Sequence, residues 1–328
     1  MIPSERQVDG GTGPLVSIIT PVLNRADSIE RCLASVQGQV YGPIEHIVVD
    51  GGSTDGTLEV LDRRGSQSPL RWISERDHGM YDAINKGMRL ANGRILAYLN
   101  SDDLYFPWTV SVAVEALRPD VDLVYGDLGI LNKLPDRKTA SFYLQFYRDF
   151  DLRYYSFVGT IAQPTVFWKR ALVDRIGMFD PEYRLIGDCE YWLRAARHGA
   201  RLVHISEVMA VQLDHAAALR WAEAATLQDE FVRLRGEMRN VIDPPKSLRS
   251  ARVKQRILWR MRHLQFFYAS TQRKPLRWTH FIEALRTGGV EIRARDLRML
   301  APKRWRGSAS LFGDPARIDR LIGLGSAT

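Results

Sequence analysis

The sequence predicts a doubly wound α/β fold, and three observations carry that prediction. Apolar, β-branched runs alternate with helix-spaced segments from Leu15 to Tyr125, the rhythm of stacked βαβ units. One run, Ile95–Leu99, carries no polar residue other than a tyrosine, as expected for a strand buried on both faces of a parallel sheet. Polar residues and glycines collect directly after the runs, where an open α/β sheet binds its ligands.

The elements follow in order. Leu15–Thr20 is a strand closed by Pro21. Ser28–Val36 is helical, with Ile29, Leu33 and Val36 on one face. Glu45–Asp50 is a second strand ending at Gly51-Gly52. Thr57–Leu61 opens a helix for which Thr54 is the candidate cap. Arg71–Ser74 is a third strand. Met80–Ala91 is a helix stopped by Asn92-Gly93. After strand Ile95–Leu99 come a helix over Trp108–Leu117 and a strand over Asp122–Tyr125. From Gly126 the alternation stops, and residues 127–160 are rich in aromatics. A strand over Thr165–Trp168 and helices over Arg170–Ile176 and Cys189–His198 follow. Strands near Arg201–Ile205 and Met209–Leu213 then precede a helix over Ala217–Met238. Pro244-Pro245 marks a boundary. The expected organisation is a loose tail over 1–13, one domain over 14–243 in two halves (14–126 and 127–243), and a basic, mainly helical region over 244–328.

Composition narrows the classes. With 45 % apolar and 26 % charged residues in 328, the chain is globular rather than disordered. Two cysteines exclude a disulfide scaffold and a four-cysteine zinc site and point to a reducing compartment. No apolar run approaches the roughly 18–20 residues that span a bilayer, and the polar start lacks a signal-peptide core. A cytoplasmic location is the expectation. The net charge of +8 is unevenly placed: residues 1–230 sum to −7 and residues 231–328 to +15. Such asymmetry points to an anionic surface partner. Within 250–306, Val253, Ile257, Met261, Leu264 and Tyr268 form a helical stripe flanked by Lys254, Arg256, Arg260 and Arg262. This pattern suits a helix lying on an anionic membrane at the inner face of the plasma membrane. It equally suits a helix packed on the domain with its arginines in water. A nucleic-acid partner is not expected, because it leaves the acidic strand ends unexplained.

Those strand ends carry the chemistry. Thr20, Pro21 and Asn24 follow the first strand, and Asp50 to Thr57 the second. Asp77-His78-Gly79 follows the third, and Asn100-Ser101-Asp102-Asp103 the fourth. Adjacent carboxylates after an apolar strand suit a hard divalent ion, Mg²⁺ or Mn²⁺, that also takes phosphate oxygens. Taken singly, Asp50 before two glycines also fits a plain turn, and Asp102-Asp103 a solvated helix start.

Four blocks resemble the family 2 glycosyltransferases in order and spacing. They are Pro21-Val22-Leu23-Asn24-Arg25, Val48 to Thr57, Asp77 to Gly87, and Tyr98 to Asp103. The likeness continues through Gln163 to Trp168 and Gly187 to Arg194 and fades near residue 220. It implies a GT-A fold, a nucleotide-sugar donor, a divalent metal and inversion at the anomeric carbon. On the same resemblance, 14–126 is the nucleotide-sugar half and 127–243 the acceptor half. Pro21, Asn24 and Asp50 line the nucleoside pocket, with Asp50 accepting from the base. Asp82 and Lys86 face the donor, Asp102 touches the ribose or sugar, and Asp103 holds the metal. His215 is implied at the metal or diphosphate, against a structural reading. Asn100 stands where many relatives carry the first acid of an Asp-x-Asp motif.

Inversion needs a base to take the acceptor proton. The resemblance places it at Asp188, where Gly187-Asp188 replaces the more usual Glu-Asp pair. Glu190 is the rival base, and an N-capping role for Asp188 is the structural alternative. Gln163 and Trp192 fall on the acceptor side, Trp192 beneath the acceptor or simply in the core. Gln212 and Arg220-Trp221 resemble the motif of processive synthases at the wrong spacing, so one sugar is added per event. The expected donor is a UDP-sugar ahead of GDP- or dTDP-sugars, and the acceptor a saccharide or lipid-linked hydroxyl in cell-surface polysaccharide or glycolipid synthesis. The competing readings are a catalytically inactive carbohydrate-binding relative and a nucleotidyltransferase. The latter should carry a glycine-rich loop after the first strand, where this chain has Pro21-Val22-Leu23-Asn24.

Overall fold

A computed structural model describes residues 13–67, 69–132, 141–147, 149–152, 155, 161–214 and 223–239. All of them except Arg239 fall within one compact unit. Four strands open the chain: β1 (Val16–Val22), β2 (Ile44–Asp50), β3 (Arg71–Ser74) and β4 (Ile95–Tyr98). Helices α1 (Ile29–Gln37), α2 (Thr57–Gly65) and α3 (Met80–Leu90) connect them. The remaining elements are β5 (Leu104–Tyr105), α4 (Thr109–Ala116), β6 (Leu123–Asn132), β7 (Ser141–Gln145), a 3₁₀ turn (Gln163–Thr165), β8 (Phe167–Lys169), α5 (Arg170–Ile176), α6 (Gly187–Arg197), β9 (Leu202–Asp214) and α7 (Ala224–Arg239).

The sheet runs β3-β2-β1-β4-β8-β6-β9-β5, with β7 added on β6. The first four strands are mutually parallel, as the apolar alternation predicts. Every residue of β1 and β4 is buried. Register places Val22 beside Asp50 and Asp50 beside Ser74, so three carboxyl ends share one rim. Beyond β4 the sheet turns mixed. β8 runs antiparallel to both β4 and β6, and β9 is parallel to β6.

Several boundaries differ from the sequence expectation, each for a physical reason. The two strands expected over 201–213 are one, because a register shift at Asp127 absorbs the irregularity and lets β6 and β9 pair onward to Asn132 and Asp214. Thr165 belongs to a 3₁₀ turn, its hydroxyl donating to the carbonyls of Ala162 and Gly126. Thr54 does not cap α2. The helix starts after Gly56 at φ +95°, a left-handed conformation that favours glycine, and Asp55 accepts the Thr57 N–H instead. The expected last helix is described over Ala224–Arg239, its expected start at Ala217 lying outside the described residues. The 1–12 part of the expected tail, His215, Arg220-Trp221 and the whole basic region lie outside the described residues.

Candidate active site

The rim is built by loops that bond to one another. Asn24, at φ +52°, donates its N–H to the Ser53 hydroxyl at 2.7 Å and accepts the Thr54 N–H at 2.8 Å. This ties the turn after β1 to the turn after β2. Pro21 is buried within β1 opposite Val49. Asp50 is fully buried. It accepts from the N–H groups of Gly52 and Ser53 and from the hydroxyls of Ser53 and Ser74. The expected contact between this carboxylate and a base therefore needs correcting. A carboxylate with no exposed surface and four donors already in place shapes the turn that a base would meet.

Asp82 and Lys86 sit one turn apart on α3, 3.6 Å between Nζ and carboxylate. Asp82 also accepts the His78 N–H, and Lys86 donates to the Arg76 carbonyl and pairs with Glu75 at 3.0 Å. Together they hold the 75–78 turn at the helix start.

At the end of β4, Asp103 is 1 % exposed. It accepts from the Asn100 amide and from the Leu213 N–H, both at 3.3 Å. Gln163 closes the group, accepting from Asn100 Nδ2 at 3.0 Å and donating to the Tyr98 carbonyl at 2.9 Å. Asn100 Nδ2 thus faces two acceptor oxygens, which fixes the amide orientation. Its Oδ1 is left buried with no hydrogen-bond partner among the described residues. An orphaned amide oxygen beside a carboxylate is a donor set that fits a hard cation, so these residues are compatible with a divalent ion. Among the described residues no three His, Cys, Asp or Glu side chains cluster as a complete metal site. Asp102 lies partly exposed beside this group.

Asp188 stands in the first turn of α6. The cap position is Ile186, with no side-chain cap, and Asp188 serves the helix terminus from within the first turn by accepting the Cys189 N–H. Its Oδ1 accepts the Tyr81 hydroxyl at 3.1 Å and the Cys189 N–H at 2.8 Å. Burial pushes the Asp188 carboxyl above the usual carboxylate range, with those two hydrogen bonds pulling the other way. Glu190 has a different environment. Its two oxygens pair with Arg194 at 2.8 Å each, and Arg194 also donates to the carbonyls of Ile176 and Met178. Glu190 is thus ion-paired, and the pair fastens α6 to the end of α5. Trp192 also needs correcting. It is fully buried, edge-on to Trp168, Phe179 and Tyr191, so it belongs to the core and offers no surface to an acceptor.

Two participants escaped the sequence reading. Tyr81 is one, hidden as an apolar-face residue of α3. Glu230 is the other. It accepts the N–H groups of Leu185 and Ile186 at 2.9 and 3.0 Å, and that of Arg184, so α7 holds the segment leading into Asp188. The spacing of Glu223, Glu230 and Glu237 by sevens is the signal that marks them as one helix face. Glu223 pairs with Arg184 and Glu237 accepts from the Tyr183 hydroxyl.

A half-parallel sheet with a loop-built rim, facing a partly buried acid from a later helix, defines the class: a glycosyltransferase of GT-A fold. Comparison with known proteins agrees. The model described as "Glycosyl transferase family 2" matches residues 17–174. A PGL/p-HBAD biosynthesis glycosyltransferase of Mycobacterium bovis is 34 % identical over 200 residues, covering 58 % of this chain and 75 % of the relative. An uncharacterised glycosyltransferase of Mycobacterium tuberculosis is 36 % identical over 191 residues, 56 % of this chain and 70 % of its own. The chain belongs to glycosyl transferase family 2. Among solved structures, the mannosyltransferase PcManGT from Pyrobaculum calidifontis, in complex with GDP-Man and Mn²⁺, covers 95 % of this chain and 86 % of its own with TM-score 0.56 at 20 % identity. S. aureus TarS 1–349 with UDP-GlcNAc covers 76 % and 73 % with TM-score 0.52 at 19 % identity. At these identities the likeness concerns the fold.

Proposed function

We propose that this glycosyltransferase moves one sugar from a nucleotide-diphospho-sugar to a hydroxyl of a saccharide or lipid-linked acceptor, with inversion and with a divalent ion. One observation carries the proposal: a single carboxylate, Asp188, is held in a desolvated niche by Tyr81 of the donor-side helix. Burial raises its affinity for a proton, the property a general base needs near neutral pH. In the proposed step the acceptor hydroxyl attacks the anomeric carbon as Asp188 takes its proton. The bond from that carbon to the diphosphate oxygen breaks, and configuration inverts because there is one displacement. Pro21, Asn24 and the turn shaped by Asp50 hold the nucleoside, and Asp82, Lys86 and Asp102 face the diphospho-sugar. Asp103 and the Asn100 amide oxygen, with His215, hold the ion, which when bound stabilises the leaving diphosphate as a Lewis acid. Asp188→Asn should abolish transfer and leave donor binding intact; transfer at the wild-type rate would overturn the assignment.

A UDP-sugar is the proposed donor and a saccharide or lipid-linked hydroxyl the proposed acceptor, the Mycobacterium bovis relative being named for PGL/p-HBAD biosynthesis. Thermal shifts with UDP-, GDP- and dTDP-sugars plus Mn²⁺ rank the donors, since ligands that bind only the folded state raise Tm. Among the described residues no helix is long and apolar enough to cross a membrane. The charge of the C-terminal region supports peripheral attachment through 250–306, each basic residue contributing on the order of 1 kcal/mol at an anionic surface. Co-sedimentation with anionic vesicles at low and high salt tests it, comparing the full chain with one ending at Asp243. Equal sedimentation of the two would refute it.

A further inference from the structure

Gly187 occupies the place of the acid that relatives more usually carry, and the structure supplies the reason. A Cβ built on Gly187 would lie 2.8 Å from two ring carbons of Tyr81 and 3.0 Å from a third. The Tyr81 ring fills the space that a side chain at 187 would need. Tyr81 is 1 % exposed, stacks on Phe179 at 5.5 Å, and directs its hydroxyl at the Leu185 carbonyl (3.2 Å) and Asp188 Oδ1 (3.1 Å). One side chain from α3 therefore touches Leu185 (two residues before α6), the helix's first glycine and its acid. It arrives from the helix that carries Asp82 and Lys86.

We propose that Tyr81 is a positioning residue, its hydroxyl fixing the Asp188 carboxylate while its ring, admitted by Gly187, couples the base to the donor-side helix. The inference rests on Asp188 acting as the base. Two features of the niche support it. The hydroxyl donates to Oδ1 at 3.1 Å, and the Cys189 thiol is a second side-chain donor to the carboxylate. The other titratable groups that face the pair are Tyr98, Tyr155 and Cys189, all of which burial keeps neutral. Among the described residues no cation hydrogen-bonds to the pair.

The test titrates the Asp188 carboxyl in full-length protein labelled with ¹³C at aspartate Cγ, its signal assigned by its loss in Asp188→Asn. Tyr81→Phe removes one oxygen atom and keeps the ring. A hydrogen bond to the charged form favours that form, so its loss should raise the Asp188 titration midpoint. The acid limb of turnover should move up with it, and turnover at neutral pH should fall about tenfold. Gly187→Ala, which drives a methyl group into the same ring, should move the midpoint without touching any acid. An unchanged midpoint in Tyr81→Phe would overturn the inference, whatever Gly187→Ala does. The two readings fail separately: turnover persisting in Asp188→Asn sinks the base, whereas an Asp188-dependent enzyme with a wild-type midpoint in Tyr81→Phe sinks only the role of Tyr81.

Discussion

The donor rim and the base niche are built in opposite ways. On the rim, the residues that meet are close in the chain: Asn24 reaches Ser53 and Thr54 across 29 and 30 positions, and Asp50 reaches Ser74 across 24. These are successive strand ends of one parallel sheet, so register alone brings them together. In the niche, Tyr81 meets Asp188 across 107 positions and Glu230 meets Leu185 across 45. The rim is a local consequence of strand order. The niche depends on tertiary packing of α3, α6 and α7, so a substitution far from the acid should be able to disable it while the donor still binds.

Substitutions can break that contrast in order of effect. Asp188→Asn should lower kcat about 10²–10⁴-fold with an unchanged donor thermal shift. The same variant should raise Tm at neutral pH. Because burial lifts the folded-state value, the folded chain holds this proton to higher pH than the unfolded chain does. Stability therefore falls as pH rises from the unfolded toward the folded value, and the loss is complete above it. Asparagine removes that cost while still accepting from Tyr81, so the Tm gap should close on acidification below the usual carboxylate range. A variant less stable than wild type at neutral pH would contradict the buried-acid account. Next, Asp103→Asn should abolish the Mn²⁺-dependent part of the donor thermal shift, and full retention would remove Asp103 from the ion. Glu230→Ala leaves three backbone N–H groups without their acceptor and should cost about 1–3 kcal/mol. Its kcat should fall while donor Kd stays put; an equal loss in both would mean that rim and niche are not separable. The smallest effect belongs to Glu190→Gln. Its charge is already spent on Arg194, so kcat should change less than about threefold, and a larger loss would favour Glu190 as the base.

What the sequence made legible follows the same division. The β1 to β4 order, α1 with Ile29, Leu33 and Val36 buried, and the strand-end loops were readable because apolar periodicity and rim position are local properties. Asp188 was readable only through the resemblance. Tyr81 was not readable at all, because an aromatic at an apolar helix position looks like core until the partner of its hydroxyl is known. Trp192 was left between an acceptor platform and the core, and its full burial places it in the core. Asp50 looked like a ligand contact, yet its burial and four donors are visible only once the turn is folded. Strand β9 looked like two strands because a register shift leaves no mark in composition.

The glutamate face of α7 sets where this enzyme can be shortened. The family match stops at residue 174, before Asp188. A fragment cut there would keep the nucleotide edge and hold no base. A cut at Asp214 would retain every rim residue and the base itself. It would still discard Glu223, Glu230 and Glu237, the three side chains that fasten residues 183–186. The shortest expression fragment worth crystallising with a donor therefore runs through Arg239, the end of that helix. A screen that trims to the family boundary would lose Asp188 together with the helix that fastens its segment.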